Sequence, residues 1–215
     1  MTTPPAPGDG LRIGFVPGVT LTKWTTIWRE RFRSVAVHAV EVTEADQRRV
    51  LDAGEVDLCF VRSPLDTDGL HVIPLYEEAP VVWVSKEHTI AAFDEVTSAD
   101  LAGERVLKVA DASSINDVAL EIAVLLVPMS VARSHSRRDL TYRSLTDAPA
   151  TSIGLAWLSE RPHPLTDEFI GVVRGRTANS SRTRTERDAR RPKPIGKDIK
   201  PTKSTVRPGR RRPPR

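Results

Sequence analysis

The sequence predicts an α/β fold followed by a basic tail, and three observations carry that prediction. Between Leu11 and Arg62, short β-branched runs alternate with helical patterns across connections that suit parallel strands joined by right-handed crossovers. After Arg62 the pattern changes character, from Leu70 onward, to shorter and more mixed pieces. After residue 173 the periodicity stops, every Trp, Tyr and Phe has already been used, and Arg, Lys, Pro, Ser and Thr take over.

Leu11 to Val16 reads as a first strand, ended by Pro17 and Gly18. Thr20 is expected to cap a helix whose buried face carries Leu21, Trp24, Ile27, Trp28 and Phe32 at three- and four-residue steps. Val35 to Val42 is a second strand. Thr43 is expected to open a second helix, with Ala45, Val50 and Leu51 as its apolar stripe and Gly54 as its stop. Asp57 to Arg62 is a third strand, apolar enough for burial on both faces. Leu70 to Leu75 and Ala79 to Ser85 are extended, and Thr97 to Ala102 is helix-like and closed by Gly103. The apolar stretch Val118 to Val127 ends at Pro128, and Val131 to Ser136 forms a short helix. Thr141 to Leu145 and Ile153 to Trp157 read as a pair of strands joined by a turn at Ala148 and Pro149, before a last helix from Leu165 to Val173.

Charge is distributed unevenly. The formal net charge is +4, yet residues 174–215 hold 16 Lys and Arg against 3 acids, which leaves 16 against 25 for the body. The body is thus about −9 and the tail about +13 by side-chain counting. One cysteine, Cys59, excludes an internal disulfide and a multi-cysteine metal site, and its apolar neighbours favour a buried thiol over a reactive one. Residues 1–10 lack the profile of a secretion signal, and no apolar run reaches the ~20 residues that span a membrane. A cytoplasmic protein is the expectation, and Asn179-Ser180-Ser181 then matches a glycosylation sequon by coincidence.

The order of pieces resembles the effector-binding domain of LysR-type transcriptional regulators. The resemblance rests on Leu11 to Phe15, Trp28 to Phe32, Leu51 to Leu58, Leu75 to Glu78, Val82 to His88, Ser98 to Gly103 and Leu126 to Arg133. It implies the two-lobed fold of type 2 periplasmic binding proteins over residues 11–173. The first lobe would take about 11–80 and 141–173, and the second about 81–140. Two departures stand out. The resemblance begins without the helix-turn-helix that family members normally carry before it. Between Val109 and Pro128 the family places a strand and helix that wall one side of the cleft, where this chain has only a short polar segment and a glycine-free apolar stretch. A truncated second lobe and a disordered basic tail, residues 174–215, complete the expectation.

Candidate ligand-binding residues gather where strands end. Gly18, Val19 and Thr20 precede the first helix, whose N-terminus exposes unpaired N–H groups suited to an anion; Thr20 serves as cap, as ligand contact, or as both. Arg62 and Ser63 end the third strand, beyond which ligands of open α/β sheets collect. Arg62 would pair with an anionic effector or with Asp66 or Asp68 at the surface. Ser113 and Ser114 offer hydroxyls to the cleft or sit in a loop, and Pro128 closes the return strand.

No enzyme constellation is found. The five histidines are scattered, Glu77-Glu78 and Asp66/Asp68 read as solvated loop acids, and Ser63, Ser130 and Ser136 lack a nucleophile-elbow context. No cofactor is implied. Arg207, Arg210, Arg211, Arg212 and Arg215, with the tail lysines, would meet nucleic-acid phosphates without sequence preference, since no aromatic is interleaved for stacking. A solubilising tail, or one that folds onto the acidic body, is the alternative. The expected function is therefore a small-molecule effector sensor in transcriptional regulation, with a carboxylate effector, and a homodimer or a DNA-binding partner supplying what the chain lacks. The competing reading is a nonspecific nucleic-acid-associated protein with a ligand-blind body.

Overall fold

A computed structural model describes residues 10–135 and 137–176. The expectations for residues 1–9, for Ser136, for the Asn179 sequon and for the tail with Arg207, Arg210, Arg211, Arg212 and Arg215 lie outside the described residues.

The chain lays down β1 (Leu11–Phe15), α1 (Thr22–Arg31), β2 (Val37–Glu41), α2 (Gln47–Asp52), β3 (Leu58–Arg62) and β4 (Leu70–Glu78) before leaving the first sheet. It then builds β5 (Pro80–Ser85), β6 (Glu95–Val96), β7 (Val106–Leu107), α3 (Ala112–Ala119), β8 (Val124–Pro128), α4 (Met129–Ser134) and β9 (Leu140–Leu145). It returns through β10 (Thr151–Leu158) and ends on α5 (Thr166–Val173). Two five-stranded sheets result, ordered β2-β1-β3-β10-β4 and β6-β9-β5-β8-β7. β1 runs parallel to β2 and β3, as the short βαβ spacing requires, whereas β10 inserts antiparallel between β3 and β4. In the second sheet β5 is antiparallel to β8 and β9, and the two-residue strands β6 and β7 run parallel to β9 and β8.

Several expectations are corrected. The strands at 140–145 and 151–158 are not a hairpin: β9 pairs with β5 in the second sheet, and β10 belongs to the first. The second sheet therefore keeps its chain through Leu145, beyond the expected boundary at 140. Local alternation cannot distinguish these arrangements, because the pairing partners lie about 60 residues away or more. The second helix starts at Gln47 rather than Thr43, since Thr43 accepts the Asp46 amide (3.1 Å) in a preceding turn. Its buried face uses Gln47, Val50 and Leu51, while Ala45 is exposed.

Aromatic stacking fills the first core. Trp28 is fully buried, stacks on Phe32 at 4.2 Å, meets Phe169 of α5 at 5.7 Å, and donates its indole N–H to the Val35 carbonyl (3.1 Å). Trp24 stacks on Phe60 of β3 at 4.7 Å, so α1 is fastened across both the sheet and α5. All five residues of β3 are buried, which explains its unbroken apolar pattern. In the second sheet β5 is likewise buried on both faces: Val81 and Trp83 pack with α3 and α4, and Val82 and Val84 pack against 3-10 turns at Thr89–Ala92 and Ser98–Leu101. Among the described residues no helix is long and apolar enough to cross a membrane.

Trp28→Ala is expected to cost about 3–5 kcal/mol in urea unfolding of the full chain, through lost burial and the cavity left behind. A cost under about 1 kcal/mol would contradict this packing. Burial pushes the Cys59 thiol up to about 12, so the native protein should resist a thiol reagent at neutral pH and react only on unfolding.

Candidate functional site

The carboxyl end of β1 continues into Pro17 and Gly18, and Gly18 lies directly against the second lobe. A Cβ built on it would stand 2.5 Å from Ser130 Oγ and 2.9 Å from the Val131 amide nitrogen. Its φ of +90° also favours glycine. The first turn of α4 follows β8 without a gap, so the carboxyl ends of β1 and β8 face each other where the lobes meet. That is the place where open parallel sheets bind ligands. The chain crosses between lobes at Ala79, whose carbonyl accepts the Met129 amide (3.0 Å), and again between β9 and β10.

Arg62 closes the floor of this junction. It is 2% exposed, and its guanidinium donates to Glu78 (Nε to Oε2, 2.9 Å), to Glu44 and to the Pro17 carbonyl (2.9 Å). Gln47 from α2 holds the backbone of Arg62 at both ends, its Nε2 donating to the carbonyl and its Oε1 accepting the amide, both at 2.9 Å. This corrects the expectation that Arg62 meets Asp66 or Asp68. Those residues instead turn their backbone carbonyls to Arg48. It also corrects the reading of Glu78 as a solvated loop acid: Glu78 ends β4 with a side chain 4% exposed, while Glu77 points outward. The guanidinium is committed to its own chain, so its first role is to tie β1, β3 and β4 together at their carboxyl edge.

The remaining candidates scatter around this floor. Val19 is buried and Thr20 exposed. Thr20 does not cap α1: Leu21 occupies the N-cap position with no side-chain bond, and the Thr25 hydroxyl reaches back to the Leu21 carbonyl (3.1 Å). Ser63 is exposed, and its amide donates to the Ser152 carbonyl (2.9 Å). Ser113 and Ser114 are helical rather than in a loop, forming the first turn of α3. Asp111 caps that turn by accepting the Ser114 amide (2.7 Å), and this bond lowers the Asp111 carboxyl below its usual range. The α3 N-terminus already holds an anion supplied by the chain. Pro128 occupies the N-cap position of α4, directly before the turn that touches Gly18. The structure thus brings Gly18, Arg62 and Pro128 to one junction, with Thr20 and Ser63 exposed near its rim in sequence.

Sequence reasoning missed Glu44, Gln47, Glu78, Ser130 and Thr151. One signal pointed to an acid such as Glu78: an arginine ending an apolar strand needs an acceptor for its guanidinium. Ser130 and Thr151 come forward only in three dimensions. Their hydroxyl oxygens, like Glu78 Oε1, are buried without a hydrogen-bond partner among the described residues.

The two-lobed α/β body brings strand ends of both lobes to one junction. The LysR substrate binding domain model matches residues 6–123, more than half of the chain, and the chain belongs to that family. It is 28% identical over 174 residues to the HTH-type transcriptional regulator CatR of Pseudomonas putida, covering 66% of this chain and 60% of CatR. It is 22% identical over 203 residues to the Hca operon transcriptional activator HcaR of Escherichia coli K12, covering 79% of this chain and 68% of HcaR. The effector binding domain of BenM with its effector benzoate superposes with a TM-score of 0.66 at 19% identity, covering 79% of this chain and 95% of that one. The resemblance read from the order of the sequence segments is therefore confirmed, as is the two-sheet α/β class.

Arg62→Leu is expected to destabilise the protein by about 3–5 kcal/mol, because Glu78 is left buried and uncompensated. Arg62→Leu with Glu78→Leu should recover a large part of that loss in urea unfolding. A double variant no more stable than the single one would show that the pair is not the source of the cost.

Proposed function

We propose that this chain is a non-enzymatic sensor that binds a small organic effector between its two lobes and passes that binding to transcription. The supporting observation is the close approach of Gly18 to the first turn of α4, which sets the carboxyl ends of strands from both lobes around one junction. A ligand placed there touches both lobes and biases their relative position; differential contact of this kind is what a binding-driven switch requires. Gly18, Val19 and Thr20 of one lobe and Pro128 of the other would form its walls, with Arg62 as the braced floor and Ser63, Ser113 and Ser114 at the margins. CatR and HcaR are transcriptional regulators, and the reading gives this chain the effector-binding share of such a task, in the cytoplasm, as a homodimer or beside a DNA-binding partner.

A second reading is favoured by composition alone. The segment 174–215, with 16 Lys and Arg against 3 acids, is suited to phosphate contact through Arg207, Arg210, Arg211, Arg212 and Arg215.

A thermal-shift screen of the full chain against small carboxylates, aromatic acids, amines and amino acids tests the first reading. A ligand at about 100 times its Kd adds about 2.7 kcal/mol of stability, which raises the melting temperature by several degrees. Thr20→Val should weaken that shift without altering the unliganded melt, because the side chain is exposed. Silence from every ligand class would sink the reading. Under the second, DNA affinity in gel shift should fall by roughly 10³-fold or more between about 50 and 200 mM salt and disappear on deletion of residues 177–215. Binding that survives the deletion would exclude the tail as its source.

A further inference from the structure

The junction floor has more negative than positive charge. Arg62 supplies one guanidinium to two carboxylates, Glu44 and Glu78. Glu44 is half exposed and can keep its second oxygen in water; Glu78 cannot, since its side chain is 4% exposed and Oε1 meets no donor among the described residues. A buried carboxylate oxygen without a donor is costly, so this atom marks a position where a donor is wanted.

Two further oxygens, buried without partners among the described residues, belong to Thr151, paired with Glu78 in the sheet, and to Ser130, near the crossover that follows Glu78. Thr151 of β10 is the register partner of Glu78 in β4, and directly opposed residues of an antiparallel pair share one face with Cβ atoms about 5 Å apart. Thr151 Oγ1 has no partner. On the other side, Met129 donates its amide to Ala79, the residue after Glu78, and Ser130 follows Met129. Ser130 Oγ, the atom that faces Gly18, also has no partner. Glu78 therefore stands at the crossover between lobes, with an unpartnered hydroxyl from each lobe beside that crossover.

We propose that this floor takes the ammonium group of an amine-bearing effector, in the form of an α-amino acid or a primary amine, with Glu78 as the charge partner and Ser130 and Thr151 as neutral acceptors. The proposal rests on the effector-sensor reading above and fixes the chemistry of its ligand. An ammonium carries three donors and no acceptor, so Glu78 Oε1 can take its charge while the two hydroxyls, which can also donate, accept from it. A carboxylate fits poorly, because it would face Glu78 with the only nearby guanidinium already shared between two acids. Ser113 and Ser114 do not offset this, since Asp111 already occupies the start of their helix.

The test uses the full chain and matched probes: the twenty common α-amino acids, and for each that raises the melting temperature, its des-amino carboxylate and its decarboxylated amine. The expected result is that one or more amino acids bind saturably by calorimetry while the des-amino acid binds at least tenfold more weakly. Glu78→Gln should weaken the hit by tenfold or more. Because that change also disturbs Arg62, Ser130→Ala and Thr151→Val provide independent variants: each should weaken the amine several-fold while leaving the unliganded melt unchanged or slightly raised. Des-amino carboxylates that bind while amines stay silent would overturn the proposal and leave the sensor reading standing. Silence of both classes, in a chain that still melts cooperatively, would overturn both. An amine whose affinity is unchanged in Ser130→Ala and Thr151→Val would place it elsewhere and overturn the assignment of this floor.

Discussion

The Arg62 guanidinium gathers the strand ends of the first sheet at one point. It collects the carbonyl after β1, a carboxylate after β2 and the carboxylate that ends β4, from its own position at the end of β3. The carboxyl edge of the first sheet is the natural place for a ligand, and also the place where strand ends leave backbone groups and loops unrestrained. A single planar cation with five donors can brace several of them at once, which an ammonium on a flexible stem cannot do as well. The geometry of the junction follows from that brace. Pro17 is held, Gly18 is thereby presented to α4, and Glu78 is fixed at the point where the chain leaves for the second lobe.

A buried pair of this kind adds little net stability, because desolvation consumes much of the Coulombic gain. Its effect is positional. An apolar substitute could fill the same volume, but would not hold the Pro17 carbonyl and two carboxylates in fixed relation. The stability of the lobes comes from elsewhere: from Trp28, Phe60 and Phe169 in the first, and from the doubly buried β5 in the second. The division is physically sensible, since large apolar cores secure each lobe while a polar brace sets the surface between them.

The sequence allowed part of this to be read. β1 and β3 and the face of α1 were visible because their signals are local: alternation, unbroken apolarity and three-to-four spacing. Arg62 was visible as a charge at a strand end, and the order of segments pointed to the family. Its partner was not visible, because Glu78 lies beside Glu77 in an acidic pair, and only the pairing of β4 with β10 decides which of the two is buried. The same limit misplaced β9, whose alternation suits either sheet; the loop alternative for Ser113 and Ser114 instead overlooked a local signal, the helix cap that Asp111 supplies one residue before Ala112. Side-chain caps can be found by inspection; which strand lies beside which depends on contacts tens of residues apart.

The position of β10 has a consequence for how the protein is made. Among the described residues it is the only hydrogen-bonded neighbour of β4 in the sheet and lies between β4 and β3, yet it is the last of the described strands to emerge during synthesis. Until Leu158 has left the ribosome, the first sheet consists of three parallel strands with one edge of β3 unpaired and β4 detached from them. The second sheet is encoded without interruption from Pro80 to Leu145 and can close earlier. The first lobe is thus closed only when β10 has emerged, and the lobe inserted within it can be complete before its host is.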